Sequence, residues 1–171
     1  MPDIASLPYR PCAGITLFNR QGLVFVGKRK DGPNEAEGVG KWWQMPQGGI
    51  DGDEDIVAAA RREMFEETNV TSAMHLGTMA DWIEYDLPAE LVGKAWRGKY
   101  RGQRMRFVAF LFEGQESEID VLNPGGGEKP EFVEWRWERI ERLPELIVPF
   151  KRRVYEAVMK EFSTFAVPAS R

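Results

Sequence analysis

Seven carboxylates crowd the segment GGIDGDEDIVAAARREMFEETNV, residues 48–70: Asp51, Asp53, Glu54, Asp55, Glu63, Glu66 and Glu67, set against Arg61 and Arg62. A solvated helix face can carry such a run without any function, so the spacing has to decide. Glu63, Glu66 and Glu67 fall at i, i+3 and i+4, which places all three on one helix face within about one turn. Like charges so placed cost an isolated helix roughly 0.2–0.5 kcal/mol per pair, a cost that a bound cation offsets. Oxygen donors without histidine or cysteine select a hard ion, Mg²⁺, Mn²⁺ or Ca²⁺ rather than zinc, and Mg²⁺ commonly bridges carboxylates to substrate phosphates.

Rival chemistries fail on particular positions. Asp51, Asp53 and Asp55 alternate like the first ligands of an EF-hand loop, but Ile56 stands where glycine is needed and Arg62 where the last glutamate is needed. The stretch GVGKW lacks a glycine at Glu35 and a hydroxyl residue after Lys41, so it is no P-loop. Cys12 and His75 are the only residues of their types, and nothing ties either to a nucleophilic triad. A lone Cys12 excludes an internal disulfide, which agrees with a reducing compartment, and packing in a strand is its expected role.

The surviving pattern runs from Gly48 through Glu54 to Arg62, Glu63, Met64, Phe65, Glu66, Glu67, Thr68, Asn69 and Val70. It resembles the Nudix box, G-x5-E-x7-R-E-U-x-E-E-x-G-U with U a bulky apolar residue, and departs from it only at Asn69. Asn tolerates the left-handed conformation that a helix stop requires and carries no ligand there. The resemblance implies an α/β/α sandwich with a mixed sheet and a Mg²⁺-dependent pyrophosphohydrolase, with Mn²⁺ as a substitute ion. It implies that Glu63, Glu66, Glu67 and the Gly48 carbonyl hold metal, that Arg62 braces the glutamates, and that Glu54, Arg62 and Glu67 belong to the catalytic set.

The likeness extends to YRP, NRQG, WWQMPQGGID, WIEYDLP, PEFVEWRW and FKRRVYEAVMKEF, about residues 8–162, all similar to the bacterial RNA pyrophosphohydrolase and dinucleoside polyphosphate hydrolase branch. There the resemblance makes Glu131 a candidate general base, reached when its Gly-rich loop closes. It places Arg10 and Arg29 near phosphates and Tyr85, Val148, Phe150 and Lys151 around the leading nucleotides. The implied reaction is removal of pyrophosphate from 5′-triphosphorylated RNA. Asymmetric cleavage of diadenosine tetraphosphate to ATP and AMP is the alternative, and the loop KDGPNEAEGVGK is the departure that bears on that choice. A nucleotide-binding module without activity is a further reading, disfavoured by the complete glutamate set.

The elements that must position these groups are legible in outline. CAGITLF and LVFVG flank NRQG as a hairpin, and WWQMPQ reads as extended. A helix is expected from about Asp55 to Thr68, with Val57, Ala60 and Met64 at helical spacing. Extended segments are expected at roughly 75–86, 103–112 and 132–138, with Trp135 and Trp137 packing on one strand face. LNPGGGEKPE reads as a mobile loop, and Val148–Phe162 as an amphipathic helix. The 171 residues, 43% hydrophobic and 12% aromatic, suit one domain spanning 1–171. No apolar run is long enough to span a bilayer, and no signal peptide opens the chain, so a cytoplasmic location is expected.

A formal net charge of −4 argues against duplex DNA as partner. The balance is local, however: KAWRGKYRGQRMR, Lys94–Arg106, holds six basic residues and no acid, and FKRR adds a second cluster. Such patches on an acidic protein suit a compact polyanion.

Overall fold

The computed structural model describes residues 3–30 and 43–168. The loop expected to influence substrate choice, 30–41, lies outside the described residues apart from Lys30, as do Trp42 and the chain ends. The first strand, β1 (Tyr9–Phe18), and β2 (Val24–Arg29) form the expected hairpin. Its turn is set by Asn19, whose Oδ1 accepts from the Gln21 and Leu23 amides at 3.0 and 2.9 Å. Gly22 follows at φ 80°, a conformation that costs glycine little.

Two short strands, β3 (Trp43–Gln44) and β4 (Gln47–Gly49), carry WQMPQGG onto the sheet, with Gly48 opposite Ala13 of β1. Helix α1 (Ile56–Thr68) follows as expected. Asp55 caps its start, accepting from the Val57 and Ala58 amides at 3.1 and 3.2 Å, and Asn69 ends it at φ 69°.

The extended segment expected over 75–86 is two strands, β5 (Ala73–Thr78) and β6 (Ile83–Asp86), because each pairs with a different part of β7 (Gly102–Phe112). Between β6 and β7 lie the short helix α2 (Ala89–Val92) and a tight turn. Strand β8 (Phe132–Glu138) pairs with β2. Helix α3 (Leu143–Leu146) leads to α4 (Arg152–Phe162), and Pro149–Lys151 forms a 3₁₀ turn where the sequence suggested continuous helix.

Eight strands of the described residues share one sheet, with β3-β2-β1-β7-β5 as its main path. The β1–β7 pair is parallel over ten registered positions, and the other pairings are antiparallel, so the sheet is mixed. Side chains alternate across a strand, and this divides the core. Cys12 and Phe18 of β1 and Met105, Phe107 and Ala109 of β7 face α4 through Val154, Tyr155, Val158 and Phe162. Ala13, Ile15 and Leu17 with Val108, Phe110 and Phe112 face α1 through Ala59, Ala60 and Met64. The result is the expected α/β/α sandwich. Trp135 stacks on Phe25 at 5.6 Å and 19°, so both β8 tryptophans serve packing, as expected, while staying half-buried.

Candidate active site

Helix α1 presents its glutamates toward β4, and Arg62 gathers them. Its Nε and Nη2 donate to both Glu54 oxygens at 2.9 Å, while Nη1 donates to Glu63 at 2.8 Å and Glu66 at 3.2 Å. Nη2 also donates to the Gly49 carbonyl at 2.8 Å, and Asp51 lies 3.5 Å away. A forked guanidinium suits such bidentate work better than an ammonium. The Glu54 hydrogen bond, first among its partners, raises the Arg62 pKa further, and Arg62 in turn holds the Glu54 carboxyl below its ordinary value.

Glu63 and Glu67 both shift in the direction opposite to Glu54. Burial pushes Glu63 up to about 7 against the pull of Arg62, and the Glu66 charge adds to the rise. Burial raises Glu67 well above the ordinary carboxylic value, helped by the charges of Glu63 and Glu131. One Glu67 oxygen, Oε2, is buried without a hydrogen-bond partner among the described residues, a costly state for an ionised carboxylate. A Cβ at Gly48 would collide with the Glu63 carboxylate, so only glycine lets the β4 backbone approach the acidic face this closely.

These features fit a hard divalent cation: three glutamates on one face, a buried oxygen lacking a partner among the described residues, and the β4 backbone at Gly48 brought close against Glu63. Among the described residues no three acidic, histidine or cysteine side chains are already drawn into a ligand cluster. Arg62 engages Glu63 and Glu66 while Glu67 lies deeper.

Beside this acidic face lies a cavity of about 550 Å³. Arg29, Tyr85, Glu131, Phe150 and Lys151, far apart in sequence, all line it. Tyr85 and Phe150 stand 5.8 Å apart at 37°, and the Tyr85 hydroxyl donates to Gln103 Oε1. The Glu131 carbonyl accepts from the Lys30 amide at 2.9 Å, and Gly125, at the other end of its loop, packs closely on Phe65 of α1. The segment expected to be a mobile loop is therefore held near both ends, and Glu131 lines the cavity.

Arg10 lies between the two halves of the site. Its guanidinium sits against Gly49 and 5.4 Å from the Trp96 ring centroid, and its charge opposes the rise of Glu63. Val148 stands apart from the others: its side chain is fully buried in the α4-side core and does not line the cavity. Cys12 is buried as expected, accepting from Arg10 at 3.3 Å and Gln103 at 3.0 Å.

The sequence reading did not single out Gln44, Gln47, Leu91 or Trp96, which also line the cavity. Trp96 and Lys94 had a usable signal, since both fall in the basic run interleaved with aromatics. The turn that delivers them had none. Trp96, Arg97 and Gly98 follow one another at φ 49°, 59° and 72°, and a non-glycine residue in that region costs on the order of 1–2 kcal/mol.

The NUDIX domain family pattern matches residues 8–158 of this chain. The chain belongs to the Nudix family. An RNA pyrophosphohydrolase of Rhodopseudomonas palustris strain BisA53 is 54% identical over 168 residues, covering 98% of this chain and 95% of that protein. One from Bradyrhizobium diazoefficiens is 55% identical over 166 residues, covering 97% and 99%. Among solved structures, a C. elegans Ap4A hydrolase binary complex superposes with TM-score 0.62 at 17% identity, covering 91% of this chain and 96% of that one. The E. coli dihydroneopterin triphosphate pyrophosphohydrolase gives 0.61 at 16% identity, covering 90% and 99%. At those identities the solved structures establish the Nudix fold and nothing finer.

Proposed function

We propose that this Nudix protein removes pyrophosphate from the 5′-triphosphate end of RNA, leaving a monophosphate and so promoting RNA decay. The observation that carries this reading is the near-complete match, at 54% identity, to a protein named RNA pyrophosphohydrolase. In this reading residues 1–171 form one catalytic domain, working in the cytoplasm. No helix of the described residues is long and apolar enough to cross a membrane.

The proposed metal shell is Glu63, Glu66, Glu67 and the Gly48 carbonyl, with Mg²⁺ the expected ion and Mn²⁺ a substitute, because the donors are all oxygens. A divalent cation held by these residues would neutralise phosphate oxygens and lower the pKa of the attacking water. Arg62, locked to Glu54, keeps the glutamates on a common face. Arg10, Arg29 and Lys151 take up phosphate charge, and Tyr85 with Phe150 receives the leading base. Glu131, across the cavity, is the proposed acceptor of the water's proton. No covalent nucleophile is required.

Dinucleoside polyphosphate hydrolysis is the second reading, favoured by a cavity lined by three aromatic residues, Tyr85, Trp96 and Phe150. The test is a parallel incubation with Mg²⁺ of 5′-triphosphorylated RNA and diadenosine tetraphosphate, comparing kcat/KM and products. Faster pyrophosphate release from RNA is expected. Faster formation of ATP and AMP would transfer the assignment to the second reading, and tight nucleotide binding with no hydrolysis at any Mg²⁺ or Mn²⁺ concentration would favour a binding module.

A further inference from the structure

The basic run Lys94–Arg106 enters the proposed reaction only at its edge, yet it borders the cavity. Lys94 and Trp96 line the wall, and the backbone is left-handed at Trp96 and at the two residues after it, Arg97 and Gly98. Arg97, within the turn, and Lys99, after it, are exposed, and half-buried Tyr100 meets the Trp96 ring edge-on at 6.1 Å and 78°.

Among the described residues the side chains of Lys94, Arg97 and Lys99 make no hydrogen bond or ion pair. The neighbouring carboxylate of Asp86 is taken by Arg101 at 2.7 Å and Tyr9 at 2.9 Å. Glu90 is the only acid between Leu87 and Arg104. The rim therefore carries three uncompensated cations around an aromatic pair. Cations that track a backbone, with rings on which bases stack, are the ordinary means of holding a single strand without reading its sequence. A dinucleoside polyphosphate has no chain to lay across this surface, whereas RNA brings one phosphodiester per nucleotide.

We propose that the turn Lys94–Tyr100 is a platform for RNA leaving the cavity. Lys94, Arg97 and Lys99 hold phosphodiesters downstream of the leading nucleotides, and Trp96 with Tyr100 offers a stacking face. The proposal rests on the RNA-end reading and deepens it, because the platform makes chain length a determinant of substrate choice.

The test is equilibrium binding of 5′-triphosphorylated oligoribonucleotides of two, four and eight nucleotides to the full chain, at two salt concentrations, with pyrophosphate release followed in parallel. Wild type should gain about tenfold or more in affinity from two to eight nucleotides, and the gain should shrink at higher salt. The Arg97→Gln/Lys99→Gln variant should lose most of that gain while melting at the wild-type temperature. Trp96→Phe should keep the gain, and Trp96→Leu should lose part of it. A wild type with no gain, or a double variant that keeps it, overturns the platform, as does an equal gain from inorganic polyphosphate, which has no bases. Length-dependent binding without hydrolysis would sink the RNA-end activity and leave the platform standing. Hydrolysis without a length effect would do the reverse.

Discussion

Glu67 is the residue on which the proposed chemistry turns. It is buried, one of its oxygens has no partner among the described residues, and the Glu63 and Glu131 charges act on it. Glu67→Gln keeps the shape and removes the charge, so turnover should fall by at least about 100-fold with an unchanged melting temperature. Unchanged activity in both Glu67→Gln and Glu66→Gln would remove the acidic face from the mechanism. Glu63 supplies a second prediction, on stability. Its folded pKa of about 7 lies above the ordinary value of 4.5, so the folded state binds this proton more tightly than the unfolded chain. The stabilisation is complete below about pH 4.5 and is lost as pH rises through about 7, on the order of 3 kcal/mol in total. In chelator-treated protein the melting temperature should fall across that window, and Glu63→Gln should flatten the fall. Added Mg²⁺ should also flatten it, since a cation favours the ionised carboxylate. The glutamates were legible in the sequence because helical spacing is local. Their partition into a paired Glu54 and a buried Glu67 was not, because burial depends on strands β1 and β4 arriving from elsewhere.

At the scale of elements, α1 was readable from end to end, since its caps and periodicity lie within its own residues. Asn69 shows why the one departure from the family pattern is tolerated. It occupies the left-handed stop at φ 69°, and its Nδ2 donates to the Glu118 carbonyl at 3.0 Å. Asn69→Gly relieves backbone strain but removes that bond, so stability should change by less than about 1 kcal/mol. Asn69→Val has neither compensation and should cost at least about 1–2 kcal/mol in chemical denaturation. Strands β5 and β6 were read as one segment because their sequence is continuously extended in character. What divides them is pairing with separate parts of β7, a non-local fact. The turn at Trp96–Gly98 was equally hidden, for no residue pattern announces a tryptophan and an arginine at positive φ.

At the scale of the whole molecule, one sheet separates two apolar layers, and a buried hydroxyl ties α4 to the segment that leads into β4. Tyr155, fully buried on α4, accepts a hydrogen bond from the Met45 amide at 2.8 Å. Met45 and Pro46 lead directly into Gln47–Gly49, the strand that carries the proposed metal carbonyl of Gly48. Tyr155→Phe removes the acceptor without changing the ring and leaves a buried amide unpaired, which should cost about 1–3 kcal/mol. Because both layers pack on the same central strands β1 and β7, the loss should appear as one cooperative transition at lower temperature, not as a separate early melt. The same change frees the approach to β4, so the Mg²⁺ concentration for half-maximal activity should rise several-fold with little change at saturating ion. A melting shift with an unaltered Mg²⁺ dependence would confine Tyr155 to packing and break the proposed link between α4 and the metal-holding strand.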